Sequence, residues 1–334
     1  MGWCTTSDLD EFLAAAGGYL RARPAENTLL LTTAESLRAV GRQPPGSLFG
    51  WWEPRDGEVR GAFLHIPPGP VVLAGLAPEA AAGLAGALAR QPGSVRGVDA
   101  SAEAADAFAA AWRQRTGQAA RVHQHSRLYR LTGAVPEYPG PPGYARVAMA
   151  DDRDLLVAWL RAFGREVGEL AGTPEATADD LLSYSGATFW ETDDGPVSMV
   201  TVTRPVARTV RVNIVYTPPG LRHHGYAAAV TLAVSRAALA DGASEVLLIT
   251  NLANSVSGTL RLGYQPIGER VVLSFGPPTG PQPRYPTGPM PRYSAGPMPR
   301  YTPGPQPPNP GGRPGTGPTR TFGLPRPYGL PRPY

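Results

Sequence analysis

Proline is distributed so unevenly that it decides where this chain can fold at all. Of 39 prolines, 20 lie in the last 59 residues, from Gly276 to Tyr334. They recur there in an eight-residue repeat, GPQPRYPT, GPMPRYSA and GPMPRYTP, which decays through GPQPPNPG and ends in a doubled GLPRPY. Proline fixes φ and removes a backbone donor, so neither helix nor sheet propagates through such a segment. Its apolar content is too low to offset the entropy of ordering. A disordered tail of extended, polyproline character is therefore expected over residues 276–334. Tyr and Arg recur at fixed places in the repeat, which suits a proline-binding or acidic partner; a soluble spacer is the blander alternative.

The tail also carries the chain's excess charge. It holds Arg284, Arg292, Arg300, Arg313, Arg320, Arg326 and Arg332 and no acid, so subtracting that +7 from the formal +4 leaves residues 1–275 at −3. A mildly acidic folding portion makes nucleic acid an unexpected partner, whatever the whole-chain pI. All basic residues are arginine and no lysine occurs, which reads as coding bias before it reads as function. No run of about 18 apolar residues is present, so no membrane-spanning helix is expected. The start, MGWCTTSDLDEFL, has no basic segment followed by an apolar core and does not read as a secretory signal. Cys4 is the single cysteine, so no internal disulfide can form, and a cytoplasmic location is the default.

A second Pro/Gly cluster, GAVPEYPGPPGY at 133–144, separates two patterned regions. It predicts an N-terminal domain over 1–134, a linker over 135–144 and a second domain over 145–275. In the first, the periodicity predicts a helix near 7–21 and strands at LFGWW, VRGAFLHI and PVVLAG. A helix at PEAAAGLAGALAR, a strand at VRGVDA, a helix at AEAADAFAAAWRQR and a strand at ARVHQHSRLYRL follow. The second opens on a strand at ARVAM and a helix capped by Asp151 or Asp152. Strands at ATFWETD, VSMVTVTR and TVRVNIVYT, a turn, a helix, a strand at EVLLIT, a short helix and a strand at QPIGERVVLSF complete it. Meandering strands with interspersed helices make both regions α+β and similar in architecture.

The densest chemistry lies in VRVNIVYTPPGLRHHGYAAAV. An alternating strand stops at Pro218-Pro219, and an Ala-rich helix starts six residues later. Helix N-termini present unpaired N–H groups and the positive end of the helix dipole, so a turn entering one can hold an anion. Gly225 lets the backbone approach a ligand, Ala227 keeps the next turn free of bulk, and Arg222, His223 and His224 supply charge or donors.

Taken with the strand EVLLIT, then NLANS and LGYQPIGERVVLSF, this stretch resembles the GNAT superfamily of acetyl-CoA-dependent N-acyltransferases. Arg222 to Ala227 matches its R/Q-x-x-G-x-G/A motif, with Ala227 in the last place. The resemblance covers residues 145–275. It implies a splayed strand whose end, Val215, Tyr216 and Thr217, bonds a pantetheine arm. It also implies a pyrophosphate cradle from the amides of His223, His224, Gly225, Tyr226 and Ala227, and a further cofactor contact at Asn254. An amine acceptor of unspecified identity then attacks the thioester directly; no metal is required. The first region resembles the degenerate first domain of tandem GNAT proteins and has no comparable phosphate turn.

Departures from the family pattern bear on activity. Where relatives read A-L-Y-x-x-L-G-Y/F this chain reads NSVSGTLRLGY, so Arg261 follows Leu260, the phenol that protonates the thiolate is missing, and the helix is two residues short. Thiolate protonation is therefore expected to be weak, and Tyr264 or water is the acid only if turnover matches that of a chain with the tyrosine restored. No carboxylate lies on TVRVNIVYT, which leaves Glu166 or Glu169 as base. The alternative is a catalytically impaired CoA-binding or interaction protein whose tail recruits a partner. His123 and His125 alternate on one strand without a third metal ligand at recognisable spacing, and are expected to be ordinary strand residues. Phe49, Trp51 and Trp52 are expected in a core or domain interface.

Overall fold

In a computed structural model of the chain, residues 2–54, 57–91, 95–133, 135–168, 172–252 and 256–276 are described. The proposed tail from residue 277 onward lies outside them. The first region forms strands β1 (Gly2–Thr6), β2 (Leu48–Glu53), β3 (Gly61–His65), β4 (Val71–Ala74), β5 (Gly97–Ala100) and β6 (Ala119–Leu131), with helices α1 (Leu9–Ala22), α2 (Thr28–Val40), α3 (Pro78–Leu88) and α4 (Ala102–Thr116). The second forms β7 (Tyr144–Val147), β8 (Ala187–Thr192), β9 (Gly195–Val202), β10 (Thr209–Tyr216), β11 (Glu245–Asn251) and β12 (Gln265–Gly276), with α5 (Arg153–Val167), α6 (Pro174–Ser183), α7 (Tyr226–Ala240) and α8 (Val256–Arg261). The fold is α+β, as expected.

Three of these elements, β1, α2 and α6, lie where no element was expected. Helix α2 reads TLLLTTAESLRAV, and its three threonines have poor helix propensity. It forms because Leu30, Leu31 and Ala34 bury a face against α1 and the sheet, and Thr32 satisfies its hydroxyl by donating to the Thr28 carbonyl. Helix α1 is easier to understand: the Asp8 carboxylate accepts from the amides of Asp10 and Glu11 at 2.8 and 3.1 Å, an N-cap. The cap expected of Asp151 or Asp152 on α5 is not made. Asp152 does stand at the N-cap of α5, but its carboxylate turns back to the Met149 amide and to Arg146.

All twelve strands join one sheet, in the order β1-β2-β3-β4-β5-β12-β6-β11-β10-β9-β8-β7. The neighbours are antiparallel except β4/β5 and β10/β11, which are parallel. Read inward from either edge, the two halves match: a meander, one parallel step, then the central pair. That central pair is exchanged. Strand β6, from the first region, pairs with β11 of the second, while β12, from the second, pairs with β5 of the first.

The cores follow the exchange. On the α3/α4 side, Phe63, Leu73, Val98 and Phe108 pack with Val271 and Leu273 from β12. Under α7, Val200, Val212 and Val230 pack with Tyr129 and Leu131 from β6. Burying such side chains contributes about 1.5–3 kcal/mol each, so each half is stabilised by a strand encoded in the other. The Arg270 guanidinium of β12 donates to Asp99 of β5 at 2.7 Å and to the Leu73 and Asp99 carbonyls, locking the register. Phe49 stacks on Phe12, Trp52 lies against Trp3, and Trp51 packs on the α1/α2 core, so these aromatics are core residues.

Candidate functional site

The site begins with a defect in a ladder. Strand β10 pairs with β9 at Val212–Val202 and resumes at Val215–Val200, with a bulge between. The Ile214 amide released by the bulge donates to the Thr201 hydroxyl at 3.1 Å, which meets the need of a buried N–H for a partner. On its other side β10 runs parallel to β11 only from Thr209–Glu245 to Val212–Leu248. Beyond Val212 the two strands part, while β11 continues along β6 to Asn251. A bulge that bends one strand away from its neighbour leaves a cleft between unladdered edges.

Beyond this cleft the chain makes a 3₁₀ turn at Pro219–Leu221 and enters α7 through Arg222-His223-His224-Gly225. His223 has φ +70° and Gly225 φ +84°. Left-handed residues in a turn entering a helix are the kind of backbone from which anion-binding nests are made. Helix α7 has no side-chain cap and no acidic residue in its first turn, so no carboxylate competes for its N-terminal amides. The nest and the helix dipole act on the same place.

Several residues expected at the site are brought together there. The Tyr216 carbonyl accepts from Ser198 Oγ at 3.2 Å, and the Thr217 hydroxyl lies 2.8 Å from the same oxygen. Arg222 Nε donates to the Thr217 carbonyl at 2.9 Å, and Arg222 Nη2 donates to both oxygens of Glu166 at 2.7 Å. The guanidinium expected to face a phosphate thus braces the end of β10 against the turn and against α5. Burial pushes the Tyr216 phenol above its ordinary value; Glu166 adds to the shift and Arg222 opposes it. Val215 and Ala227 are half-buried and His223 is exposed. The His224 ring stacks on Tyr226 with centroids 5.6 Å apart, and its Nδ1 lies 3.2 Å from the Leu221 carbonyl. Glu169 and Asn254 lie outside the described residues.

Tyr264 is placed away from the cleft, in the core under α7. It is fully buried, its hydroxyl lies 2.8 Å from Ser235 Oγ, and burial pushes its phenol up to about 12. A phenol so enclosed cannot reach a thiolate, so of the two acids named for full turnover only water remains. His125 faces Glu269 at 3.6 Å across the β6/β12 pair. Among the described residues no three His, Cys, Asp or Glu side chains converge as metal ligands would.

The linker contributes what local sequence did not announce. Its Pro136 carbonyl accepts from Arg236 of α7 at 2.6 Å, and its Pro142 carbonyl accepts from Trp190 Nε1 at 3.0 Å. Between these anchors the Tyr138 hydroxyl reaches the turn: a Cβ on Gly225 would lie 2.9 Å from it. Glycine at 225 is thus favoured by its φ, and a Cβ there would also press on the phenol above it.

The first region repeats the parted strands without the nest. Strands β4 and β5 pair only at Val71–Val98 and Val72–Asp99, and a cavity of about 210 Å³ opens beside them, lined in part by Leu73, Gly75, Ala100 and Arg270. Helix α3 starts on Pro78, with Glu79 in its first turn, and Tyr19 donates to the Gly75 carbonyl at 3.3 Å. A missing amide and an added carboxylate make that helix start a poor anion seat.

No protein-family model matches the chain, and no curated protein matches it. Solved structures do. A GNAT-family acetyltransferase from Colwellia psychrerythraea superposes with TM-score 0.53 at 13% identity, over 82% of this chain and 99% of that one. A GCN5-related N-acetyltransferase from Sphaerobacter thermophilus gives 0.54 at 16% identity, over 81% and 94%. A Drosophila protein gives 0.56 at 14%, over 83% and 99%. At such identities the likeness is one of fold, and it spans both halves of the described chain.

Proposed function

We propose, from the premise that this chain has the fold of the GNAT superfamily, that it is an N-acetyltransferase using acetyl-CoA as acyl donor to an amine of a small molecule or peptide. The observation that carries the reading is the uncapped start of α7, entered through left-handed His223 and Gly225 at the mouth of the β10/β11 cleft. A slender pantetheine arm fits between strand edges that have lost their ladder, and a pyrophosphate fits the nest. Acetyl-CoA supplies an activated thioester. The amine nitrogen would bond to its carbonyl carbon as the C–S bond breaks, the amine losing a proton and the thiolate gaining one. The cleft would hold the two reactants in line. This chemistry belongs to the half that holds β10 and α7, whose sheet and core are completed by β6 from the first region.

Glu166 is the described carboxylate bonded to the turn before α7, and both its oxygens accept from Arg222. Taking a proton there means giving up that pair, so the reading assigns it to bracing the turn. A second reading, a CoA-binding protein with little turnover, draws support from the six-residue α8, which ends on Arg261 where relatives keep a tyrosine, and from the enclosure of Tyr264. In it, the arginine-bearing tail would recruit the partner.

Titration calorimetry of the full chain with acetyl-CoA tests the first step, with one molecule bound per chain expected. A thiol-release assay across a panel of amines tests the second. Binding without turnover on any amine selects the second reading; no binding refutes acetyl-CoA as ligand and leaves only an interaction protein.

A further inference from the structure

We propose that Tyr138, a residue of the linker between the two halves, is a direct ligand of the anionic group seated at the start of α7. The inference rests on acetyl-CoA being the ligand of that turn, and adds a contact from outside the turn itself. The linker is fixed on both sides of the tyrosine. Arg236 holds the Pro136 carbonyl, Trp190 holds the Pro142 carbonyl, and Pro136 packs over Gly263. Gly140 lies against Ala229 on α7. The Tyr138 ring packs on the core under α7, so its hydroxyl is delivered to Gly225 by a short, proline-stiffened segment.

No hydrogen bond of that hydroxyl is made among the described residues, and it lies beside Gly225, the left-handed residue that leads into α7. A half-buried phenol whose hydroxyl stands at the start of a helix is a donor within reach of an acceptor seated there. The phenol oxygen could itself accept from an amide, but no such bond is made among the described residues, and an anion seated there would accept from both the phenol and the amides. A phosphate oxygen at the nest would accept the phenolic proton in a charge-assisted hydrogen bond, which is among the stronger kinds. The linker would then report ligand binding to both halves that it joins.

The test is Tyr138→Phe in the full-length chain, which removes one oxygen and leaves the ring's packing in place. Calorimetry with acetyl-CoA should show affinity weakened about tenfold, the scale of one hydrogen bond to a charged group. Inorganic pyrophosphate, titrated alone, should weaken in step, and the melting temperature should stay unchanged. Equal affinity in both proteins overturns the proposal. Tighter binding by the Phe variant also overturns it, since the tyrosine would then be an obstruction. Loss with acetyl-CoA but not with pyrophosphate places the phenol elsewhere on the ligand and overturns it as well. A wild-type chain that binds pyrophosphate but not acetyl-CoA would refute the proposed function while leaving Tyr138 to be judged on pyrophosphate. If it binds neither ligand, both proposals fall.

Discussion

Arg222 and Glu166 form a two-oxygen ion pair at 2.7 Å that spans from the turn before α7 to the last turn of α5. The same guanidinium holds the Thr217 carbonyl, so one side chain fixes the strand end, the turn and the neighbouring helix. Both partners are partly exposed, 33% and 41%, so a double-mutant cycle of Arg222→Gln and Glu166→Gln should give a coupling of only ~0.5–1 kcal/mol in stability. Turnover should separate bracing from base catalysis. We expect Glu166→Gln to lower kcat less than tenfold; a hundredfold loss at unchanged KM for the amine would make it the base.

His223 occupies the left-handed region at φ +70° with a side chain that is exposed. A non-glycine residue there costs roughly 1–2 kcal/mol, part of which glycine returns as unfolded-state entropy. His223→Gly should therefore raise stability by about 0.5 kcal/mol in denaturant unfolding. A variant less stable than the parent would show that the histidine makes a stabilising contact of its own.

At Gly225 both conformation and space oppose a side chain. Gly225→Ala should cost ~1–2 kcal/mol, because φ is +84° and its Cβ would press on the Tyr138 hydroxyl. Gly225→Asp adds a negative charge at the nest and should abolish acetyl-CoA binding while the chain remains folded. Calorimetry and circular dichroism on the same samples check both parts. Unchanged affinity in the Asp variant would refute the site.

His65, on β3, is 6% exposed, and its Nε2 has no partner among the described residues. Burial holds its imidazole below the ordinary value, with a backbone hydrogen bond at Gly69 opposing. Below about pH 6.5 the unfolded chain binds a proton that the folded chain resists, so stability is full above that pH and is lost as pH falls through the depressed value. Urea melts between pH 7 and 5 should show this decline, and His65→Leu should flatten it. The other four histidines lie on β6 and in the α7 turn and are exposed. A slope unchanged in His65→Leu would show that burial of this imidazole does not set the decline.

The turn at 222–227 was legible because its requirements are local: a strand that stops, a glycine free to turn left, and an Ala-rich helix. The role of Arg222 was not, since its partners Glu166 and Thr217 are set by how α5 packs. Tyr138 was hidden for the same reason, standing in a segment that reads only as a linker. Helix α2 escaped notice because its threonines argue against the helix that packing imposes. The exchange of β6 and β12 left no local trace. The apolar residues of each strand alternate in the same way whichever neighbour they meet, and alternation specifies a face but not a partner.

That exchange governs how the chain can be made. The Asp99–Arg270 pair closes a separation of 171 residues, and the strand it anchors is encoded last in the described sequence. During synthesis the first region must wait for residues 265–276 before its sheet is complete, exposing the edge of β5 and part of the α3/α4 core in the meantime. We expect a fragment of residues 1–134, lacking β12, to show no cooperative melting alone and to recover it when co-expressed with residues 135–334. Independent folding of the short fragment would show that β6 can turn back to pair with β5. Otherwise ribosome-bound intermediates would need protection by chaperones until the end of the second region emerges, and neither half could be inherited, swapped or lost without the other.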